Sequence, residues 1–278
     1  MKKIIVSGMT GMVGSYLAPF LRDKGYEVLK FSGSIDGADV VINLSGENIG
    51  KGRWTKKKKE KIYKSRIETT SQLVNLMEKT KNPPAIFISA SAVGYYGANA
   101  KVVASEEVVS GTDFLAQVCR DWEKEANQYT KGRVVIMRFG VVLTKTSGFL
   151  QKLSKIAKFG LLGIFGSGEQ KTSWIAIEDL AEVIFHCINH KEIIGAVNVT
   201  TAYPFSNREC VEIVTKSVLR WRFLPIPAFF ITLIFGEKGR ELLLVDQSVY
   251  PKKLLDTGFR FKFLQLKEVV LASTNRMI

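Results

Sequence analysis

The first residues with a chemical signature are three glycines in the spacing G-x-x-G-x-x-G: Gly8, Gly11 and Gly14. They follow a β-branched run at residues 3–7 and open a segment, residues 12–24, with helical apolar spacing. Glycines here allow a tight turn, let the main chain approach a pyrophosphate, and let the helix pack closely on the strand. Because the first N–H groups of a helix lack internal partners, they can bind the anion. The spacing predicts a dinucleotide site, and a turn in which the glycines serve only packing is the alternative.

The elements around this turn alternate between strand and helix. Short β-rich runs predict strands at residues 3–7, 27–31, 40–44, 85–89 and 134–139, and helical spacing predicts helices at 12–24, 56–79 and 113–129. This alternation implies βαβ units and an α/β fold with a doubly wound parallel sheet. We predict a dinucleotide-binding Rossmann core over residues 1–148. A smaller C-terminal substrate lobe follows over 149–278, interleaved with the core and containing a helical piece from about residue 223.

Composition narrows the class of protein. The 278 residues are 46% hydrophobic and 24% charged, which is typical of a globular chain and excludes wholesale disorder. The longest apolar run, residues 223–235, contains two prolines and is too short to cross a bilayer, so we expect no membrane span. Three cysteines in no paired spacing favour a reducing compartment, and we expect a cytoplasmic protein.

The formal net charge of +14 suggests a nucleic-acid or anionic-surface partner. Its densest run, Lys56 to Lys59, opens a predicted helix, covers all its faces and contains no aromatic residue. We therefore expect a solvated face with no specific nucleic-acid partner, and a docking patch for an acidic partner is the alternative. His186 and His190 lie four residues apart on a predicted helix, but no third ligand is near them in sequence, so no metal site is predicted.

Several longer motifs carry a family resemblance. They are VINLSGENI at 41–49, RWT at 53–55, SRIETT at 65–70, SASAVGYYG at 89–97, DFLAQVCRDWE at 113–123 and SWIAIEDLA at 173–181. With the glycine turn, they make the chain resemble the extended short-chain dehydrogenase/reductase superfamily. Within it the chain is similar to the sugar-nucleotide-epimerase-like family of NADP-dependent oxidoreductases, whose C-terminal piece is a small domain of unknown function. The resemblance covers essentially the whole chain. It implies an NAD(P)-dependent oxidoreductase or epimerase-like protein acting on a small carbonyl or nucleotide-linked substrate.

The resemblance also implies where the cofactor binds. The implied residues are Gly8, Thr10, Gly11, Met12, Val13, Gly14, Ser32, Leu44, Ser45, Arg66 and Ser89. Arg66 lies in the apolar stripe of its helix, where an unpaired charge is costly. Its partner is either the cofactor or an internal carboxylate. No acidic residue ends the second strand, where one would bind the ribose 2′-OH and select NAD, so we expect NADP, with NAD possible.

The superfamily's catalytic set is a Ser or Thr after the fourth strand and a Tyr-x-x-x-Lys pair on the next helix. Ser91 matches the first, but Leu115 and Cys119 stand at the Tyr and Lys positions. We therefore expect Ser91 to act with Tyr95 or Tyr96, which follow it in a glycine-flanked loop. Two alternatives stay open: both rings only pack the loop, or the protein binds a dinucleotide without turnover, as a sensor or assembly partner.

The connection between the second and third predicted strands is shorter than in extended members of the superfamily. Only eight residues, 32–39, join them, whereas a helical crossover needs ten or more. Eight extended residues reach about 26 Å, more than the roughly 18 Å required, so a plain loop suffices. We predict that one βα unit is missing, which leaves the adenine site more open and the cofactor more weakly bound.

Overall fold

A computed structural model describes residues 1–97, 103–144, 147–218 and 225–274. The main sheet has six strands: β1 (Lys3–Ser7), β2 (Glu27–Lys30), β3 (Val40–Asn43), β4 (Ile86–Ala92), β5 (Arg133–Phe139) and β10 (Gly195–Val199). All neighbours are parallel, in the order β2-β1-β3-β4-β5-β10. The predicted doubly wound parallel sheet is confirmed.

Helices cover both faces of this sheet. They are α1 (Met12–Asp23) and α5 (Ile177–Asn189) on one face, and α2 (Lys56–Lys79) and α3 (Phe114–Ala126) on the other. The central strands are buried on both sides, which explains why their sequences are continuous apolar runs and do not alternate. The carboxyl ends of all six strands therefore lie along one edge of the sheet, where α1, α2 and α3 begin.

The predicted missing βα unit is also observed. Residues 32–39 contain neither helix nor strand, and β3 pairs directly with β1. Two predicted boundaries were wrong. Strand β4 continues three residues beyond Ser89, because its last residues stay paired with β5 as far as Ala92 and Phe139. Helix α3 ends at Ala126, because the chain turns there and buries the Tyr129 ring edge-on against Phe87.

The rest of the chain packs against this sheet and its helices. It contains the short strands β6 (Val141–Leu143), β7 (Ile164–Phe165), β8 (Lys171–Thr172), β9 (Trp174–Ala176), β11 (Phe205–Ser206) and β12 (Pro225–Ile226), and the helices α4 (Gly148–Lys158), α6 (Asn207–Ser217), α7 (Ala228–Phe235), α8 (Glu237–Leu242), α9 (Lys252–Asp256) and α10 (Leu266–Thr274). Its own apolar core is built around Trp174, Phe205 and Val269. Within the described residues, no helix combines the length and apolar composition that crossing a bilayer requires.

Candidate functional site

The glycine turn has no room for side chains at two of its positions. Gly8 has φ +77°, and a Cβ there would lie 2.7 Å from the carbonyl carbon of Leu44. A Cβ at Gly14 would lie 2.5 Å from the carbonyl oxygen of Gly8, because α1 passes directly over the turn. Gly11 is the N-cap of α1, and no side chain in the described part of the chain caps this helix. The first N–H groups of α1 therefore face a groove with main chain on its walls, which suits an anion.

Polar side chains continue the groove across the sheet edge. Ser7, Asn43 and Ser89 are direct neighbours in the parallel register. Ser45 follows β3, and its hydroxyl lies 2.5 Å from that of Ser7. The structure thus brings the predicted residues Ser45 and Ser89 to the same edge as the glycine turn, where Leu44 lies under Gly8. Thr10, Met12 and Val13 are on the turn and the first turn of α1, and Ser32 is exposed just past β2.

Arg66 reaches this edge from α2. Its Nη1 donates to the main-chain oxygens of Glu47 at 3.1 Å and Ile62 at 3.0 Å, and its guanidinium lies beside Gly46. No carboxylate in the described residues is within ion-pair distance of it. The nearest acidic side chain, Glu47, instead binds Lys58 and Lys61. Burial lowers the pKa of Arg66. A partly buried cation with only main-chain acceptors is a suitable group for a phosphate or ribose.

A second group of polar side chains joins the ends of β4 and β5 to α3. Arg138 binds the Glu123 carboxylate through Nε at 2.9 Å and Nη2 at 2.8 Å, and Ser91 Oγ donates to the same carboxylate at 2.7 Å. Burial alone would lower the pKa of Arg138, but the hydrogen bonds and ion pair with Glu123 raise it. The Ser91 hydroxyl is therefore held by a carboxylate that an arginine orients.

Tyr96 extends this network. Its hydroxyl accepts from Arg138 Nη1 at 2.9 Å and donates to Asn198 Oδ1 at 2.6 Å. Burial raises the pKa of Tyr96, and Arg138 opposes that rise only in part, so the phenol stays protonated at neutral pH. Tyr95 is partly exposed and stacks on Arg138, with 3.5 Å between the guanidinium carbon and the ring centre. The structure thus joins Ser91, Tyr95 and Tyr96 through Arg138 and Glu123, while their catalytic roles stay a prediction.

Leu115 and Cys119 stand at the positions of the missing Tyr-x-x-x-Lys pair, and neither replaces its phenol or its positive charge. The Leu115 side chain packs against Gly94, 3.3 Å from where a Cβ would stand, and the Cys119 Sγ lies 3.8 Å from the same point. Burial and the charge of Glu123 raise the pKa of Cys119 to about 12, so this thiol is neither a cation nor a thiolate near neutral pH.

A cleft of about 760 Å³ separates the start of α3 from the C-terminal helices. Lys59, Asp113, Phe114, Arg240 and Glu241 line it. Glu241 Oε2 accepts from the main-chain N–H of Leu115 at 3.2 Å, which places this carboxylate beside the position of the superfamily's tyrosine. Burial and the nearby Asp113 raise the pKa of Glu241 to about 7.

The lysine run at the start of α2 does not behave as one solvated face. Lys56 and Lys57 are exposed, as expected. For Lys58 and Lys59 the expectation was wrong: Lys58 pairs with Glu47 at 2.5 Å, and Lys59 pairs with Glu237 of α8 at 2.8 Å. The reason is tertiary, because the C-terminal helices bring Glu237 within reach of a helix 178 residues earlier in the chain.

Sequence reasoning missed Glu123, Asn198 and Glu241. Glu123 had a signal, because it stands four residues after Cys119 and so shares one face of the predicted helix with Leu115 and Cys119. Asn198 and Glu241 had none, because each belongs to the site only through folding. His186 and His190 stack on each other, and in the residues described here no group of three potential ligands could hold a metal ion.

Comparison with known proteins agrees with this geometry. The model of the NAD dependent epimerase/dehydratase family matches residues 30–200, and that of a domain of unknown function, DUF1731, matches residues 226–272. An epimerase family protein of Mycobacterium leprae is 33% identical over 98% of this chain and 96% of its own length. The human epimerase family protein SDR39U1 is 29% identical over 96% of this chain and 99% of its own length.

Solved structures show the same relationship. The crystal structure of human SDR39U1 isoform 2 with NADPH has a TM-score of 0.92 at 27% identity, covering 98% of this chain and 99% of that one. A nucleoside-diphosphate sugar epimerase from Corynebacterium glutamicum has a TM-score of 0.81 at 28% identity, covering 99% of this chain and 58% of that one. The chain therefore belongs to the NAD dependent epimerase/dehydratase family and carries a DUF1731 domain at its C-terminal end.

Proposed function

We propose that this protein binds NADP(H) and acts as an oxidoreductase or epimerase-like enzyme on a small carbonyl or nucleotide-linked substrate. The observation that carries the proposal is the uncapped start of α1 above a turn in which Gly8 and Gly14 leave no room for a Cβ. The human relative solved with NADPH supports the same cofactor. The three buried free cysteines support a reducing, cytoplasmic location.

The groove residues fit the parts of such a cofactor. The N–H groups of Met12 and Val13 at the start of α1 would hold the pyrophosphate, and Arg66 would supply a positive charge to a phosphate or ribose. Ser32 and Gly33 follow β2 where an acidic residue would repel a 2′-phosphate, which supports NADP over NAD. When bound, the nicotinamide ring supplies hydride transfer.

Within the protein, Ser91 is the hydroxyl we place against the substrate oxygen. Ser91 Oγ donates its proton to a hydrogen bond with Glu123 Oε1 at 2.7 Å, and Arg138 holds the Glu123 carboxylate in place. Tyr96 and Tyr95 hold Arg138 by a hydrogen bond and by stacking. Because the Ser91 proton is held by the Glu123 carboxylate, the lone pairs of Ser91 Oγ are left to accept a hydrogen bond from a substrate hydroxyl and so to orient it.

The substrate would enter the cleft between α3 and the C-terminal helices. Glu241 lies there beside Leu115, and its pKa of about 7 suits proton transfer at neutral pH. The cleft is large enough for a small carbonyl compound or a nucleotide-linked sugar.

Fluorescence titration with NADPH and NADH tests the cofactor. We expect NADPH to bind at least about tenfold more tightly than NADH, and Arg66→Gln to weaken NADPH binding at least about tenfold. Arg133→Gln is the matched control, because Arg133 also binds only main-chain oxygens but lies at the amino end of β5. If neither nucleotide binds below millimolar concentration, the proposal fails.

Oxidation of NADPH across a panel of carbonyl compounds tests the reaction. We expect Ser91→Ala to lower kcat about a hundredfold or more, and Tyr96→Phe to lower it less, because Tyr96 acts through Arg138. Turnover that both substitutions leave unchanged would remove these residues from the site.

A dinucleotide-binding protein without turnover is the second candidate. The apolar packing of Leu115 against Gly94 and the raised pKa of Cys119 favour it. Tight NADPH binding with no oxidation of NADPH by any compound of the panel would support this candidate over the first.

A further inference from the structure

Helix α7 exposes apolar side chains to solvent along most of its length. The exposed fraction is 69% for Phe229 and 63% for Leu233, and Phe230 and Ile234 beside them are also exposed. Within this eight-residue helix only Ile231 is buried. A contiguous apolar surface of this kind costs solubility unless another surface covers it.

Helix α4 exposes both lysines and apolar side chains to solvent. Lys152, Lys155, Ile156 and Phe159 follow the spacing i, i+3, i+4, i+7 and share one face, and all four are exposed. Phe159 has an exposed fraction of 80%. Apolar side chains interleaved with lysines on one helical face are typical of helices that lie at a membrane surface.

Three contacts place α4, α7 and α8 in one surface. Strand β7, soon after α4, pairs with β12, which directly precedes α7. Arg53 Nη2 donates to the main-chain oxygen of Ile234 at 3.1 Å, and Lys238 Nζ donates to those of Gly50 and Gly52 at 2.9 Å each. The pKa of Lys238 is lowered mainly by burial and also by the positive charge of Lys152, which places α4 near α8.

The rim of this surface is basic. Exposed on it are Lys51, Arg53, Lys56, Lys57, Lys152 and Lys155. The neighbouring carboxylates of Glu47 and Glu237 are each neutralised by a lysine of α2. Basic side chains therefore border α7 on the side of residues 50–53, where Arg53 and Lys238 make direct contacts.

We propose that α7 and its basic rim dock this protein on an anionic lipid bilayer. The aromatic and aliphatic side chains of α7 would enter the headgroup boundary, and the lysines and Arg53 would face the lipid phosphates. A second copy of the chain fits this surface less well, because a two-fold contact would bring the same basic rim against itself. An anionic bilayer complements both the apolar face and the charge.

The docking is peripheral. A helix of eight residues is about 12 Å long, far less than the roughly 30 Å of the hydrocarbon core. The helix therefore lies along the interface. This inference is independent of the proposed catalytic function, since it rests on no residue of the glycine turn or of the Ser91 network.

Co-sedimentation of the full chain with lipid vesicles tests the proposal. Vesicles of phosphatidylcholine alone are compared with vesicles in which about one third of the lipid is phosphatidylglycerol. We expect binding to the anionic vesicles at least about tenfold stronger than to the neutral ones, and weaker as salt is raised, because screening reduces the contribution of the lysines.

Two pairs of variants separate the apolar and charged parts. The double variant Phe229→Ser, Phe230→Ser should lower anionic-vesicle binding at least about tenfold, whereas Ile194→Ser, an exposed apolar residue next to β10, should not. Likewise Lys56→Glu with Lys57→Glu should weaken binding, whereas Lys79→Glu with Lys81→Glu, at the other end of α2, should not. Unchanged NADPH affinity and melting temperature show that the variants are folded.

Three results would overturn the proposal. The first is no sedimentation with anionic vesicles at low salt. The second is equal binding by the Phe229 and Phe230 variant and the original protein. The third is a stable dimer, seen by analytical ultracentrifugation, that this same variant dissociates, because that result assigns the surface to a second copy.

Discussion

Individual side chains in the candidate site are set by neighbours far away in the sequence. The Ser91 hydroxyl is oriented by Glu123, 32 residues later, and Tyr96 by Asn198, 102 residues later. Both bonds are buried, so loss of Glu123 would leave the Ser91 proton without an acceptor, and loss of Tyr96 would leave the Asn198 oxygen without a donor, at a cost of about 1–3 kcal/mol each. Such pairs hold the site rigid before any ligand binds.

Glu241 makes a pH-dependent contribution to stability. Burial and the nearby Asp113 raise its pKa from 4.5 to about 7, so between these values the folded protein holds a proton that the unfolded chain has lost. The contribution is fully present below about pH 4.5 and is lost as the pH rises through about 7. Because the side chain is half-exposed, solvent screening limits the loss to about 1 kcal/mol.

The variant Glu241→Gln tests this contribution. The amide stays neutral, so the variant should be more stable than the original protein by about 1 kcal/mol at about pH 8, with the difference vanishing at about pH 4. Urea denaturation at both pH values measures it, with Glu182→Gln, an exposed carboxyl on α5, as control. A difference independent of pH would show that the pKa of Glu241 is not raised.

At the scale of elements, the β1–α1 turn depends on close approach of main chain to main chain. Gly8 packs against the main chain of Leu44 and Ser45, just after β3, and a side chain there has no space. Gly25, which follows α1, has a similar φ but open surroundings. Glycine is therefore required for a different physical reason at each end of α1. Close packing requires glycine at position 8, whereas the left-handed backbone conformation alone favours it at position 25.

Alanine substitution at these two glycines separates the cost of a steric clash from the cost of a left-handed backbone. Gly25→Ala should cost about 1 kcal/mol, the price of left-handed backbone for alanine, and leave NADPH binding unchanged. Gly8→Ala should cost about 3 kcal/mol or more, because its Cβ would stand 2.7 Å from the Leu44 carbonyl, and should abolish NADPH binding. Chemical denaturation and nucleotide titration measure both, and equal costs would contradict the role given to close approach.

At the scale of the whole molecule, the C-terminal helices pack at the same edge of the sheet as the glycine turn. The Lys59–Glu237 pair and the Glu241–Leu115 hydrogen bond connect α8 to the beginnings of α2 and α3. Cofactor bound at this edge would therefore add stability to both parts of the chain together.

Thermal unfolding with cofactor tests this link. NADPH at about a hundred times its Kd should stabilise the folded state by about 2.7 kcal/mol and raise Tm by roughly 5 °C or more. NADH at the same concentration should raise Tm less. A single transition that shifts as a whole is expected, and a shift confined to the first of two transitions would show that the C-terminal helices are not coupled to the groove.

Patterns in the sequence predicted the parallel α/β fold, the glycine turn, the full extent of α2 and the absence of a βα unit between β2 and β3. Those features depend on local periodicity, on glycine spacing and on how far eight residues reach, all of which are properties of short segments. Only the tertiary structure decided that Lys59 pairs with α8, that Arg138 binds Glu123, and that Glu241 lies beside Leu115. The physical reason is that ion pairs and pKa shifts depend on distance in space and on burial, and both are set by the packing of segments that are remote in sequence.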